Sequence, residues 1–430
     1  MFSSNKKPVF GGLMEASYDV IVVGGGPCGI LTAIECAKSN LKVCLLEKHF
    51  KIGEPPHCAG LLSVKGLKLL GLYNHLFSEW DGVIQNPSIR GATFFSPSNY
   101  QFKVERETPQ AVVVDRVEFD KKIFQYAEIL GVEAFKGVHV EKIEKTDSGM
   151  KVYVKMKSLQ KKEPAKLVTV SSDLVIDAEG TDSRLLLQAG LTPHKKNWVY
   201  SGAQVELEKV KDLNPNMVEL YLGQKIAPGF FAWIIPLKGE GARVGLIAKH
   251  GYRTRMLLKK FMNSHPIASK KVKGAKIRRK MGGKVPLSCP IKRTVTDNFI
   301  VVGDAAGQTK PTTGGGVVTG GLCAIIAAKA AKKAVEEQNF SSNFLKENYE
   351  KSWQKLLKKQ LKLMFLLRKT FNILSDQAID HLFKTIKTYK IEKVIEKKGD
   401  IDWQATLILT ALKNPITYSL IPKIITSIKK

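Results

Sequence analysis

The chain has 430 residues, of which 44% are hydrophobic, and a formal net charge of +29. This length allows two or three hydrophobic cores, and the six cysteines show no Cys-x-x-Cys spacing, which argues against a metal site. Residues 1–12 lack an apolar signal segment and no run of about 18 apolar residues occurs, so we predict an intracellular protein with reduced cysteines and no transmembrane helix.

The first predicted elements form a strand, a turn and a helix. After an N-terminal extension over residues 1–16, an apolar strand runs from Tyr18 to Val23. It leads into the turn GGGPCG at residues 24–29, and an apolar helix face continues from Ile30 to Ala37. Such a turn points backbone N–H groups and the positive end of the helix dipole at one spot, which predicts an anion-binding site.

The glycines of this turn have distinct predicted roles. Gly24 permits the tight turn, Gly26 lets a pyrophosphate approach the backbone, and Gly29 lets helix and strand pack closely. Leu41 to Leu46 is a second predicted strand that ends in Glu47, near the ~20-residue spacing expected for a carboxylate on a ribose hydroxyl. The pattern predicts a dinucleotide site, and a purely structural glycine turn is the alternative.

The middle of the chain predicts antiparallel strands. Residues 89–104 alternate like a strand pair around a Ser-Pro-Ser-Asn turn, and residues 197–250 contain several further short strands. From Ser341 onwards the pattern is helical and basic.

A second glycine-rich segment follows a strand predicted from Asn298 to Val302. Asp304 lies at the carboxyl end of that strand, where it can accept hydrogen bonds from sugar or ribityl hydroxyls, or alternatively cap the next helix. The run Thr312 to Gly316 lets the backbone approach a flat ring at the start of a helix from Val317. Two such segments in one chain indicate one long dinucleotide held at both its pyrophosphate and its ribityl chain, which is FAD.

Basic residues are concentrated in two regions. Residues 251–284 contain twelve Lys/Arg and no acid, and residues 341–430 contain 18 Lys/Arg against eight Asp/Glu. We predict an anionic membrane surface as partner and no nucleic acid, because basic and aromatic residues do not interleave. A merely solvated lysine-rich surface is the alternative. The segments 405–412 and 416–428 fit helices lying on a membrane or, equally well, a helical cap.

Four further motifs lie between about Tyr18 and Lys332: IGEPPHCAGL at 52–61, Asp115-Arg116, DAEG at 177–180 and PGFFAWIIP at 228–236. Together they resemble the geranylgeranyl reductase family, in particular the archaeal digeranylgeranylglycerophospholipid reductases. These belong to the p-hydroxybenzoate hydroxylase type of FAD flavoprotein. Glu179 and Ile235 depart from the usual family residues, an Asp and an aromatic.

The resemblance implies an α/β fold. Its parts are a Rossmann-like FAD-binding domain of the glutathione-reductase type, an inserted antiparallel-sheet substrate domain and a helical C-terminal region. The predicted division is an extension (1–16), an FAD-binding domain (17–88, 108–195 and 290–340), a substrate sheet (89–107 and 196–289) and the basic helical region (341–430).

The predicted site residues fall into two groups. Those expected to contact FAD are Gly24, Gly26, Cys28, Gly29, Glu47, Cys58, Ala59, Leu61, Arg116, Val140, Asp304, Gly316 and Val317. Those expected to contact the substrate are Phe230, Phe231 and Trp233, whose alternative is the ordinary core of the inserted sheet.

The resemblance implies hydride transfer from reduced flavin to isolated double bonds of geranylgeranyl chains in archaeal ether phospholipids. An isolated alkene also needs a proton, so Cys58, next to His57, is the predicted proton donor or its positioner. The alternative is that Cys58 only lines the flavin. Reduced ferredoxin or NAD(P)H is the expected electron donor, and the protein is expected on the cytoplasmic face of the membrane as a peripheral protein.

Three other functions remain open at this point. They are a flavin monooxygenase or halogenase of the same fold, a flavin-containing RNA-modifying protein, and a flavoprotein that only passes electrons to a quinone.

Overall fold

The computed structural model describes residues 17–156 and 166–404. The predicted extension at 1–16 and the segments 405–412 and 416–428 lie outside the described residues. The strands are β1 Ser17–Val23, β2 Val43–Glu47, β3 Leu61–Ser63, β4 Ile84–Ile89, β5 Gly91–Phe95, β6 Gln101–Glu105, β7 Ala111–Val114, β8 Glu133–Lys136, β9 Val138–Thr146, β10 Gly149–Met156, β11 Lys166–Asp177, β12 Val199–Glu208, β13 Met217–Leu222, β14 Phe231–Pro236, β15 Ala242–Ala248, β16 Lys276–Pro286, β17 Val295–Thr296 and β18 Phe299–Val301.

The helices alternate with these strands in the first half and dominate the end of the described chain. They are α1 Pro27–Ala37, α2 Val64–Leu69, α3 Arg116–Ile129, α4 Leu185–Gln188, α5 Thr254–Ser264, α6 Ala268–Val272, α7 Val317–Glu336, α8 Ser342–Leu345, α9 Lys351–Trp353, α10 Lys359–Phe371, α11 Asp376–Thr388 and α12 Ile391–Lys398. π-Helical turns at Lys346–Glu350 and Gln354–Lys358 join α8, α9 and α10 into one helical stretch.

An eight-stranded sheet carries the first glycine turn. Its order is β17-β18-β11-β1-β2-β8, with β1 parallel to both β2 and β11 and with the β9–β10 pair added antiparallel to β11. The strands β1 and β2 are nearly continuous apolar runs because both faces are covered. Val20 and Val22 pack against the core that includes α1, α3 and α7, whereas Ile21 and Val23 pack on the β9–β11 side.

A seven-stranded sheet lies beside it in the order β16-β12-β15-β14-β13-β5-β6. The pair β5–β6 is antiparallel and turns at Ser96–Asn99, which confirms the prediction for residues 89–104. Alternate residues of β14 face opposite sides: Ala232 and Ile234 join the core under α5 and α6, and Trp233 packs towards the three-stranded sheet β3-β7-β4.

The helical stretch from 342 to 371 packs on α7 through buried aromatic and apolar residues such as Tyr349 and Trp353. This confirms the predicted helical pattern after Ser341 for the part of the region that the structure describes. Among residues 17–156 and 166–404, no helix is long and apolar enough to cross a bilayer.

Candidate functional site

The turn between β1 and α1 has the backbone geometry that its glycines predict. Gly24 has φ +111°, and a Cβ on Gly29 would lie 1.9 Å from the Gly24 carbonyl oxygen, so helix and strand meet only without a side chain. A Cβ on Gly26, by contrast, would have no atom within 4 Å. Gly26 caps α1 without a side-chain hydrogen bond and Pro27 begins the helix, so free N–H groups face open space suited to a pyrophosphate.

Glu47 is a fixed acceptor at the carboxyl end of β2. Its Oε2 accepts the Gly25 N–H at 2.6 Å, and its Oε1 lies 2.7 Å from both the His49 backbone nitrogen and the His49 Nδ1. Burial alone would raise the pKa of Glu47, but the hydrogen bonds from His49 and Gly25 hold that pKa below its usual range. The carboxylate therefore stays ionised beside the glycine turn, as an acceptor for ribose hydroxyls requires.

The second glycine segment places Asp304 next to the beginning of α7. Thr309 Oγ1 donates to Asp304 Oδ1, and burial raises the pKa of this carboxyl. A Cβ on Gly316 would lie 2.7 Å from the same Oδ1. The helix-capping alternative for Asp304 does not hold, because the residue that caps α7 is Gly316 and it has no side-chain cap.

The two glycine segments meet at one edge of the eight-stranded sheet. The strands β1, β11 and β18 are parallel neighbours, so their carboxyl ends lie side by side. Cys28 of α1 fills the space between Gly303 and Gly320, where added Cβ atoms would lie 3.0 and 2.6 Å from its Sγ. Burial raises the pKa of the Cys28 thiol to about 12, so it packs as a neutral group and only its backbone N–H suits a cofactor contact.

Asp177 lies at the end of β11, beside the same turn. Its carboxylate accepts the Glu179 N–H at 2.9 Å and the Ser183 hydroxyl at 2.6 Å. Burial raises the pKa of Asp177 to about 7. These bonds hold the loop whose Ala178 carbonyl packs on Gly24, where a Cβ would lie only 2.4 Å away.

The loop with Cys58 faces the beginning of α3. Arg116, the first residue of that helix, lies beside the Cys58 side chain and forms a bidentate pair with Asp120, each bond being 3.1 Å. Burial would lower the pKa of Arg116, but the Asp120 carboxylate outweighs it and holds the pKa above its usual range. His57 points elsewhere, since its Nδ1 lies 2.7 Å from the Gly282 carbonyl oxygen of β16. The structure thus brings Cys58 to Arg116, and leaves His57 apart from both.

Sequence reasoning missed Arg243, which fixes this loop. Arg243 is 1% exposed on β15, and its Nη1 donates to the carbonyls of Ala59 (2.8 Å) and Val114 (2.7 Å). Its Nε donates to Glu206 on the neighbouring strand β12. The available signal was a lone arginine in the apolar strand ARVGLIA, because a buried charge needs a partner.

An apolar wall on the seven-stranded sheet faces the glycine loop before α7. Trp233 is held by a 2.8 Å hydrogen bond from its Nε1 to Gln204, and Phe231 meets it edge-on. A Cβ on Gly314 would lie 3.7 Å from Ile247 of this wall. Ala59 and Leu61 of the Cys58 loop pack against the same cluster and remain partly exposed.

Phe230 lies deeper than its predicted substrate contact suggests, whereas Val140 is predicted to contact the adenine through its backbone. Phe230 has no exposed surface and stacks behind Phe231 at 4.2 Å, so it can support the wall only from the rear. Val140 lies in β9 with a buried side chain, which leaves its backbone as the group available to an adenine.

A second feature missed from the sequence holds the glycine loop from the C-terminal side. The buried Lys310 pairs with the buried Asp402 at 2.6 Å, and Asp402 also accepts a hydrogen bond from Ser63. Thr312 donates to Gln404. These contacts tie the loop and the strand after Cys58 to residues 401–404. Among the described residues, no group of His, Cys, Asp and Glu side chains could hold a metal ion.

Comparison with known proteins agrees with this geometry. A family model described as an FAD binding domain matches residues 17–321. The chain is 33% identical over 371 residues to the digeranylgeranylglycerophospholipid reductase of Methanocaldococcus jannaschii, covering 86% of this chain and 90% of that protein. The match spans most of both sequences.

Solved structures show the same fold. A geranylgeranyl bacteriochlorophyll reductase-like protein from Thermoplasma acidophilum has a TM-score of 0.81 at 24% identity, covering 95% of this chain and 100% of that chain. The flavin-dependent brominase Bmp2 shares the fold alone, with a TM-score of 0.69 at 19% identity, covering 96% of this chain and 100% of that chain. The chain is therefore an FAD-binding flavoprotein and belongs to the digeranylgeranylglycerophospholipid reductase family.

Proposed function

We propose that this protein is an FAD-dependent reductase that hydrogenates isolated double bonds of geranylgeranyl chains in archaeal ether phospholipids. The observation that carries the proposal is that the loop with Cys58 packs against the apolar wall of Phe231 and Trp233 and places Cys58 beside Arg116 of α3. The names of the relatives support the same substrate class. We also propose that the eight-stranded sheet belongs to the FAD-binding domain and the seven-stranded sheet to the substrate domain.

The residues at the sheet edge fit FAD. The open helix start at Gly26 suits the pyrophosphate, Glu47 suits the adenosine ribose, and Asp304 suits the ribityl chain. When bound, FAD supplies the hydride. The chain itself must orient the alkene, exclude water and deliver a proton.

Cys58 is the proposed proton source. An alkene has no carbonyl to polarise, so proton delivery to one carbon must accompany hydride arrival at the other. The thiolate left on Cys58 would be stabilised by the neighbouring Arg116 cation and by the positive end of α3. Arg243 positions the loop by donating a hydrogen bond to the Ala59 carbonyl. The wall of Phe231 and Trp233 seats the chain and keeps water away.

An anaerobic assay tests the proposed reaction. Enzyme with its flavin reduced by dithionite is mixed with a geranylgeranyl ether lipid under argon, and lipid masses and flavin oxidation are followed together. We expect one double bond to be reduced for each flavin oxidised. A requirement for oxygen and halide would indicate the halogenase, and flavin oxidation by a quinone with unchanged lipid would indicate an electron carrier.

We further propose that the helical stretch from 342 to 371 docks the protein on an anionic membrane at its cytoplasmic face. Residues 351–375 contain seven Lys/Arg and no acid. Lys355, Lys359 and Lys362 are exposed on one helical face, which also carries Leu366 with 56% exposure. Ile373, just after the end of α10, is 59% exposed. A basic face with exposed apolar side chains is the pattern of a helix lying at a lipid interface.

Reversing the charge of this face should weaken membrane binding. The triple variant Lys355→Glu, Lys359→Glu, Lys362→Glu is expected to lose at least about tenfold in affinity for phosphatidylglycerol vesicles, since each basic residue contributes ~1 kcal/mol near an anionic surface. Sedimentation with vesicles measures the loss.

A matched control distinguishes the effect of this helical face from the effect of the overall net charge. Lys142, Lys145 and Lys155 are exposed on the β9–β10 pair, and their replacement by Glu changes the net charge equally. The control should keep most of its vesicle binding. Equal losses in both triple variants, or tighter binding to tRNA than to vesicles at physiological salt, would contradict the docking face.

A further inference from the structure

Arg368 is a buried cation at the junction of the glycine loop and the apolar wall. It lies on α10 and is 4% exposed. Its Nε donates to the Pro311 carbonyl at 2.9 Å, its Nη1 to the Gly229 carbonyl at 2.5 Å, and its Nη2 to the Thr312 carbonyl. The Arg368 side chain therefore links the loop before α7 to Gly229, which precedes the apolar wall in the sequence.

The charge of Arg368 is not neutralised by an acid. In the part of the chain that the structure describes, no carboxylate lies within ion-pair distance of its guanidinium, whereas the buried Arg116 and Arg243 pair with Asp120 and Glu206. Burial lowers the pKa of Arg368 to about 10, so it stays charged at neutral pH. Carbonyl dipoles satisfy its hydrogen bonds but leave a full positive charge in a low-dielectric region, which is costly unless an anion gains from it.

The position of this charge indicates which anion benefits. Pro311 and Thr312 precede the glycines Gly314 to Gly316, which lead into the positive end of α7. The Arg368 guanidinium also lies 4.3 Å above the Phe230 ring, behind the wall. The flavin ring is expected against this loop, and a flavin gains negative charge on its ring edge when it is reduced. A charge in a low-dielectric interior acts more strongly on a nearby anion than a solvated charge does at the same distance.

We propose that Arg368 positions the glycine loop against the substrate wall and that its unpaired charge favours the reduced, anionic form of the bound flavin. The inference rests on FAD binding and not on the identity of the lipid. Arg368 acts through the loop and through its field, so it is a positioning residue.

The reduction potential of the bound flavin tests the inference in the absence of any lipid. Holoenzyme of the wild type, Arg368→Met and Arg368→Lys is titrated against a redox dye with xanthine and xanthine oxidase. For Arg368→Met we expect the ratio of reduced to oxidised flavin at a fixed dye poise to fall about tenfold, which is ~30 mV for a two-electron couple. Arg368→Lys should keep a potential near that of the wild type but bind FAD more weakly, because one ammonium cannot reach three carbonyls.

Lys369→Met is the matched control. Lys369 is the exposed neighbour on the same helix, so its loss changes the net charge equally while water screens the effect, and the potential should not change. A wild-type potential in Arg368→Met, or an equal shift in the Lys and Met variants, would overturn the role of the charge. If the Met variant fails to hold FAD, the Lys variant decides: an unchanged potential with weaker FAD binding supports the proposal, and a lowered potential contradicts it.

Discussion

Replacing Cys58 with alanine should lower the rate of alkene reduction by about 10²–10⁴-fold, the usual contribution of a general acid. The Cys58 side chain lies on the loop that faces both Arg116 and the apolar wall. FAD content and flavin reduction by dithionite should stay unchanged, because alanine still fits the loop. Single-turnover flavin oxidation by the lipid measures the step directly.

Two further variants decide how Cys58 acts. Arg116→Gln should slow the same step, since the thiolate loses its stabilising cation, although Asp120 is left unpaired and thermal unfolding must be measured beside it. His57→Ala is the control on the same loop, because its ring contacts Gly282 and not the thiol. If Cys58→Ala reduces the lipid at nearly the wild-type rate, Cys58 only lines the flavin, and water or another group delivers the proton.

Gly26→Ala should weaken FAD binding by about ten- to a hundredfold without destabilising the apoprotein, the cost of overpacking by one methyl being about 1–3 kcal/mol. Gly26 has φ −82° and ψ 173°, which alanine adopts freely, and its Cβ would meet no protein atom within 4 Å. The new methyl would instead occupy the space proposed for the pyrophosphate. Flavin fluorescence titration gives the affinity, and thermal unfolding of the apoprotein gives the stability.

Gly29→Ala supplies the contrast within the same turn. Its Cβ would lie 1.9 Å from the Gly24 carbonyl oxygen, and backbone cannot move aside as a flexible side chain can. We expect that variant to unfold or to accumulate poorly with or without FAD. Unchanged FAD affinity in Gly26→Ala would mean that the pyrophosphate does not lie at the beginning of α1.

The glycine turns and the strand pair at 89–104 could be predicted from local sequence patterns. Each depends on residues that are close in the sequence: Gly24 and Gly29 belong to one strand–helix turn, and the turn at Ser96–Asn99 fixes its two strands. Adjacency in the sequence did not predict that the side chains of His57 and Cys58 point to different partners. The His57 ring contacts the Gly282 carbonyl on β16, whereas the Cys58 side chain lies beside Arg116.

The contacts that lock the site together join distant parts of the chain. Arg243 reaches Ala59, Arg368 reaches Pro311 and Gly229, and Lys310 reaches Asp402. No spacing rule connects such residues, because their meeting depends on how two sheets and the C-terminal helices pack. For Arg243 the sign in the sequence is a charge within an apolar run, and it does not identify the partner.

The lipid product is the most direct test of the central claim. The protein is produced in a host that makes geranylgeranyl ether lipids and supplies a competent reductant, and the extracted lipids are analysed by mass spectrometry against a Cys58→Ala control that retains FAD. We predict lipids heavier by two hydrogen atoms for each double bond reduced, with the Cys58→Ala lipids close to the unreduced masses. Unchanged lipid masses from a wild-type protein that contains FAD and is reduced in the host would contradict the claim.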